Sequence, residues 1–258
     1  MTPDKTAARQ KSGARLRLWA VLLWLAVWQI GSRALDQSIL LVSPLTVIAR
    51  LSQLAGTGGF WQAIFFSCLR IIGGFLAAAA LGVAAAALAA RLPRVRELLA
   101  PLMLVVKSTP VASFIILLLI WVPSKNLSVV IAFLMVLPVI YTNVLGGILD
   151  TDPQLLEMAK VFRLPARRVI RYIYVSQVLP YFRAACAVSL GLCWKAGVAA
   201  EVIGIPTGSL GERLYTAKIF LQTADIFAWT LVIILISLLF EKLFMWILRH
   251  GIDRLERM

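Results

Sequence analysis

The sequence is poor in the side chains that most catalytic and metal sites require. It has one histidine, His250, close to its C-terminal end, and three cysteines, Cys68, Cys186 and Cys193, each within an apolar stretch. An odd number of cysteines cannot form a closed set of disulfides, and a zinc site needs a cluster of histidine and cysteine ligands. We therefore expect no disulfide framework and no metal site, and we interpret the cysteines as small packing residues.

The motifs of common enzyme classes are absent as well. The sequence contains no Gly-x-x-x-x-Gly-Lys-Ser/Thr loop, no Gly-x-Ser-x-Gly turn and no His-Glu-x-x-His pair. The glycine-rich run at residues 56–59 lacks the lysine that would contact a nucleotide phosphate. We predict that the chain is not an enzyme, that it needs no cofactor and that it does not hydrolyse ATP itself.

Charged residues are scarce and apolar residues abundant. Only 15% of the 258 residues are charged and 61% are hydrophobic, whereas soluble domains have about 25% and about 45–50%. A helix that spans a bilayer needs about 20 mostly apolar residues. Such windows occur at residues 16–35, 63–90, 98–122, 127–149, 178–205 and 226–248. The predicted fold class is an all-α integral membrane protein with six transmembrane helices.

The charges that remain are mostly positive. The chain has 26 Lys and Arg against 12 Asp and Glu, a net charge of +14, which in a soluble protein would suggest nucleic-acid binding. Sixteen of these basic residues lie at the two ends or in the even-numbered loops, and five lie in the odd-numbered loops. Because basic loops stay in the cytoplasm, we predict cytoplasmic termini and no nucleic-acid partner. Residues 1–15 form a basic cytoplasmic segment, and residues 16–258 a single six-span domain.

Three charged side chains fall deep within the predicted spans. A charge at the bilayer centre costs at least about 2.5–3.5 kcal/mol, so Lys107, Lys195 and Glu201 each need a partner or water. Six residues rotate a helix by about 600°, so Lys195 and Glu201 do not share a face, and a pair between Lys107 and Glu201 is the better structural interpretation. The lysine left over could instead face a water-filled path and attract an anion. With Ser108 and Thr109, these three residues are our candidates for a translocation path.

The longest predicted cytoplasmic loop, residues 150–177, contains an amphipathic helix. Thr151, Asp152 and Pro153 are typical of a helix start. Apolar residues then recur at helical spacing at Leu155, Leu156, Ala159 and Phe162. From the residues alone, this face could lie on the lipid surface or dock on a partner protein.

Several short motifs resemble a known family of transporters. The residues Glu157, Met158, Ala159, Ile173, Leu179 and Pro180 resemble the cytoplasmic "EAA" motif of the permeases of ABC importers. The stretches at residues 43–47, 67–75 and 200–204, which read Ser-Pro-x-Thr-Val, Ser-x-x-Arg-x-x-Gly-Gly-Phe and Ala-Glu-Val-Ile-Gly, resemble the branch for nitrate, taurine and sulfonates. These matches run in the family's order from about residue 40 onward.

The resemblance implies a fold and a set of partners. It implies a type I importer-permease architecture with a cytoplasmic coupling helix, in a multi-pass protein of the bacterial inner membrane. It implies a permease homodimer, two separate ATP-binding subunits and an extracytoplasmic solute-binding protein that delivers a small anionic or zwitterionic solute. The residues it implies for contact with the ATPase are Glu157, Met158, Ala159, Phe162, Arg163 and Pro165.

Two residues depart from the family pattern. Arg163 stands where the family has a glycine, and Ser176 replaces the first of two prolines. A glycine there would end the coupling helix, and Pro165 could supply that break instead. The alternative function is a secondary transporter driven by an ion gradient, which would need several buried carboxylates or an inverted repeat. The spans offer Glu201 as the one deep carboxylate.

Overall fold

The computed structural model describes residues 18–35 and 41–256, and these residues form helices and no β-strand. The predicted N-terminal segment, residues 1–15, lies outside the described residues. The helices are α1 (Leu18–Leu35), α2 (Pro44–Ala55), α3 (Gly58–Arg91), α4 (Pro93–Ser108), α5 (Val111–Leu118), α6 (Ser124–Leu149), α7 (Pro153–Val161), α8 (Ala166–Val169), a π-helical turn (Ile170–Tyr174), α9 (Val175–Gly204), α10 (Leu210–Ile219) and α11 (Thr223–Glu256).

Two of the short helices, α2 and α7, begin at side chains that cap them. Ser43 accepts a hydrogen bond from the Thr46 N–H at the start of α2, and Asp152 accepts one from the Gln154 N–H at the start of α7. In both helices the capping residue is followed by a proline, whose missing N–H has no partner to lose in the first turn. The helix start predicted at residues 152–153 is confirmed.

Within the described residues, four uninterrupted helical stretches are long and apolar enough to cross a membrane. They are α3, α6, the continuous run Ala166–Gly204 and the first part of α11, and the bent pair α4 and α5 would supply a fifth span. Helix α1, with 18 residues, coincides with the first predicted span. The all-helical membrane fold is therefore confirmed, and the predicted spans correspond to these six units.

The third predicted span, residues 98–122, is not one continuous helix. Its two parts, α4 and α5, meet at an angle of 103°. Pro110 has no N–H for the helix ladder and forces Thr109 into an extended conformation, with φ −79° and ψ 130°. The hydroxyls of Ser108 and Thr109 donate to the carbonyls of Leu104 and Val105, at 2.9 and 2.7 Å, so both polar side chains at the break bond back to α4.

The centre of the molecule is formed by α3, α6 and α9, which pack side by side. Gly74 of α3 sits directly against α6, since a Cβ atom at this position would overlap the carbonyl oxygen of Val129 and lie 3.0 Å from Ala132 Cβ. Because glycine has no side chain, the backbones of the two helices can approach this closely. Phe75, one residue further, is fully buried and packs edge-on against Phe240 and Phe244 of α11.

Helix α7 ends in a left-handed residue rather than at a proline. The N–H of Arg163 donates to the Lys160 carbonyl at 3.0 Å, and the N–H of Leu164 donates to the Ala159 carbonyl at 2.9 Å. Arg163 has φ +50°, and this combination is the Schellman motif, in which glycine usually occupies the left-handed position. The expectation that Pro165 would supply the break was wrong, because the break precedes it.

We therefore predict that replacing Arg163 with glycine stabilises the protein. The left-handed conformation costs a non-glycine residue about 1–2 kcal/mol, and the Arg163→Gly variant would avoid this cost while keeping both hydrogen bonds. The thermal unfolding temperature of the detergent-purified protein should rise. The matched control is Arg167→Gly, which places glycine inside α8 and should lower that temperature. A fall for Arg163→Gly would contradict the proposed origin of the strain.

Candidate functional site

The coupling segment is attached to the membrane helices at its entry. The hydroxyl of Tyr181 in α9 donates to Asp150 Oδ2 at 3.1 Å, just after α6 ends. Gly147 makes this approach possible, because a Cβ atom there would lie 2.9 Å from carbons of the Tyr181 ring. The position at which the chain leaves α6 for α7 is thus fixed against α9.

The exposed apolar side chains of α7 differ in part from those expected. Ala159 is only 4% exposed, whereas Met158 is 43%, Phe162 is 71% and Val161 is 78% exposed. The prediction that Ala159 lies on a free apolar face was therefore wrong, because its side chain is already buried within the protein. The other residues expected to contact the ATPase are also exposed, namely Glu157, Arg163 and Pro165. Val161 was missed because it departs from the helical spacing of the other apolar residues.

The predicted cytoplasmic loop at residues 150–177 is mostly helical. From Ala166 onward it belongs to one helical run that continues to Gly204. The π-helical turn Ile170–Tyr174 interrupts the regular geometry of this run, and Ile173 of the motif is buried in it. Such turns are uncommon in proteins and occur often at functional sites. The non-helical part of the loop is therefore confined to the turns on either side of α7.

The two lysines of the candidate path both lie on the surface of the described chain. Lys107 Nζ donates to Thr142 Oγ1 of α6 at 3.1 Å, and its side chain is exposed. Lys195 of α9 is exposed as well. Their chain neighbours Val106 and Ala196 pack in one buried apolar cluster formed by α4, α5, α6 and α9. The two lysines thus border the same cluster, close to the break between α4 and α5.

Glu201 does not pair with either lysine. Its side chain is fully buried, and its Oε2 accepts hydrogen bonds from the Ser67 hydroxyl at 2.6 Å and from the Gly211 N–H at 3.3 Å. The Ser67 oxygen in turn accepts the N–H of Leu210 at 3.0 Å. The predicted pair of Lys107 with Glu201 was wrong, because neutral donors from α3 and α10 already hold the carboxylate.

The position of Glu201 gives it a structural role. It ties α9 to α3 and to the first turn of α10, and a Cβ atom at residue 211 would overlap the backbone of Glu201 itself. Its second oxygen, Oε1, has no hydrogen-bond donor among the described residues. Within the part of the chain that the structure describes, the candidate path therefore keeps Lys107, Ser108, Thr109 and Lys195 on an accessible surface, and Glu201 apart from it.

The residues that contact Glu201, Arg50 and Lys107 were not identified from the sequence, which held a signal for only some of them. Ser67 belongs to the Ser-x-x-Arg stretch already noted for its resemblance, but its contact with Glu201 spans 134 residues. Arg50 of α2 forms a bidentate ion pair with Asp225 in the first turn of α11, and no local pattern indicates a contact between residues so far apart. Thr142, the partner of Lys107, is one of a few polar residues in a mostly apolar span, which is a weak signal.

Comparison with known proteins places these features in one family. Residues 78–257 match the family described as "Binding-protein-dependent transport system inner membrane component". The chain is 28% identical, over 92% of its length and 88% of the relative's, to a protein of Bacillus subtilis (strain 168) named as an aliphatic sulfonates transport permease, SsuC. It is 26% identical to the taurine transport system permease protein TauC of Escherichia coli (strain K12), over 83% of this chain and 80% of the relative.

A third relative extends the range of named solutes. The nitrate import permease protein NrtB of Synechococcus elongatus is 26% identical, over 76% of this chain and 73% of its own length. The family match covers well over half of the chain and includes the coupling segment, α9 and the whole of α11. The chain belongs to the family of inner membrane components of binding-protein-dependent transport systems, and it is a multi-pass permease subunit of an ABC importer rather than an enzyme.

Proposed function

We propose that this permease forms the translocation path for a small anionic or zwitterionic solute, as part of a homodimer. An extracytoplasmic solute-binding protein would deliver the solute, and two ABC ATP-binding subunits would drive transport. Family membership favours this mechanism over the alternative of a secondary transporter. The observation that carries the solute class is the exposure of two lysines, Lys107 and Lys195, that fall within predicted spans.

Placing the charge of these lysines inside the membrane costs free energy unless water or another polar group faces them. Lys107 lies fourteen residues after the start of α4, a rise of about 21 Å along the helix. Neither lysine has a carboxylate partner among the described residues. A lysine that faced hydrocarbon would cost at least about 2.5–3.5 kcal/mol. A second permease copy that encloses a watery path on this side would remove that cost, and the path would then attract anions.

The coupling segment supplies the proposed contact with the ATPase. Met158, Val161 and Phe162 form an exposed apolar surface at the end of α7, and the large apolar area of such side chains favours burial against a protein partner. Glu157, Arg163 and Pro165 would border this contact. Ala159 would act indirectly, because its buried side chain helps to hold α7 in place within the permease.

The orientation is part of the proposal. We infer that both termini and α7 are cytoplasmic, since sixteen basic residues lie on that side against five on the other. In a cysteine-free background, a membrane-impermeant thiol reagent added to intact cells should label Thr57→Cys and leave Ala166→Cys unlabelled. Both positions are exposed, so access to each depends on its side of the membrane. Labelling of residue 166 alone would reverse the orientation.

We predict that Phe162→Asp weakens assembly with the ATPase. The substitution places a carboxylate where an apolar contact would be buried, which costs several kcal/mol without a partner, so the fraction of ATPase that copurifies should fall at least tenfold. The control is Gln154→Asp, which adds the same charge at the exposed first turn of α7, where the helix favours it. Normal copurification of Phe162→Asp would assign α7 to the lipid surface.

We predict that Lys107→Met and Lys195→Met lower transport but not assembly. Neither lysine holds Glu201, so both variants should form the complex in normal amounts. Uptake of taurine or nitrate by proteoliposomes with all subunits should fall about tenfold for at least one variant, equivalent to about 1.4 kcal/mol of lost attraction. Lys242→Met, at an exposed lysine of α11, is the control. Normal uptake by both variants would exclude the lysines from the path.

A further inference from the structure

A large apolar cavity lies beside the coupling segment and belongs to neither function discussed above. It has a volume of about 810 Å³ and is bordered by the last third of α3, the end of α6 and the run from α8 into α9. Its walls are mainly aliphatic, with Val83 and Ala87 from α3, Ile148 from α6 and Val178 from α9. The π-helical turn Ile170–Tyr174 contributes to one wall.

Among the described residues, a single charged side chain lines this cavity, and it is basic. It belongs to Arg91, the last residue of α3. Arg167 and Arg168 directly follow Ala166, which lines the cavity, but they do not line it themselves. From Val83 to Arg91 the cavity extends about 12 Å along α3. It therefore combines an apolar lining with one basic residue at the end of α3.

We propose that this cavity binds an anionic phospholipid, with an acyl chain in the apolar interior and the phosphate on Arg91. An acyl chain has no polar groups to satisfy, which suits walls whose polar side chains are those of Arg91 and Tyr174. An extended peptide would leave its backbone N–H and C=O groups unpaired in the same space. The guanidinium of Arg91 offers the planar, paired donors that phosphate oxygens prefer.

The position of the cavity agrees with this occupant. Given the orientation proposed above, Arg91 lies at the cytoplasmic surface, on which this inference depends. Anionic lipids give the cytoplasmic leaflet its negative surface potential, and each basic residue there gains about 1 kcal/mol from it. The lipid would fill the space between α3 and the helical run that begins at Ala166, next to the coupling helix α7.

The test is to count the lipids retained by the purified permease–ATPase complex. The complex is taken from nanodiscs that hold phosphatidylglycerol and phosphatidylcholine in equal amounts, and native mass spectrometry counts each lipid. We expect bound phosphatidylglycerol to fall about fivefold in Arg91→Gln. Arg94→Gln removes an exposed charge three residues further along the chain, in the first turn of α4, that does not line the cavity. This variant should retain the lipid as the unmodified complex does.

A second variant tests the apolar interior. Ala87→Trp would fill the cavity from α3 and should release the phospholipid with Arg91 intact. Equal losses in Arg91→Gln and Arg94→Gln would overturn the proposal, as would full retention by Ala87→Trp. If Ala87→Trp instead prevents the ATPase or a second permease copy from copurifying, a protein occupies the cavity and the lipid proposal is wrong. The orientation is checked independently by the labelling of residues 57 and 166, so its failure is distinguishable.

Discussion

The arrangement of the membrane helices depends on one carboxylate that is removed from water. Glu201 is fully buried, and a buried charge or carboxyl group persists only where hydrogen bonds replace its hydration. Here those bonds come from Ser67 on α3 and from the N–H of Gly211 at the start of α10. The first N–H groups of a helix have no partner within it and attract negative charge. One side chain of α9 therefore accepts an N–H of α10, and its Oε2 is held by donors from two other elements.

This interaction also explains the strained turn between α9 and α10. Ile205 has φ +47°, a left-handed conformation that is unusual for a β-branched residue, and Pro206 follows it. The turn reverses the chain within a few residues, so that the first turn of α10 comes back onto Glu201. Gly211 is required at the contact, since any side chain there would overlap the backbone of Glu201 and Val202. The strain is sustained because the buried hydrogen bonds fix both ends of the turn.

Local patterns in the sequence predicted most of the helices but few of the contacts between them. Hydropathy located the spans, and Asp152 with Pro153 located the start of α7, because each signal resides in neighbouring residues. The pair of Lys107 with Glu201 was wrong because it matched opposite charges without knowing that neutral donors were available from Ser67 and Gly211. The orientation of Ala159 was wrong for a similar reason. Helical spacing identifies an apolar face, but the tertiary fold decides which part of that face is already covered.

The structure offers a physical route between the two proposed sites. The entry to α7 is fixed by the hydrogen bond of Tyr181 with Asp150, and its exit is closed by the two hydrogen bonds at Arg163. A force on Val161 and Phe162 would therefore pass to α6 and α9 rather than be absorbed by loose turns. Helix α9 carries Lys195 and Glu201 further along its length, so a shift of α9 would move the lysine of the proposed path while Glu201 carried α10 with it. Packed interfaces between rigid helices switch between discrete arrangements rather than deform gradually. ATP binding could therefore shift the equilibrium between two such arrangements of these helices.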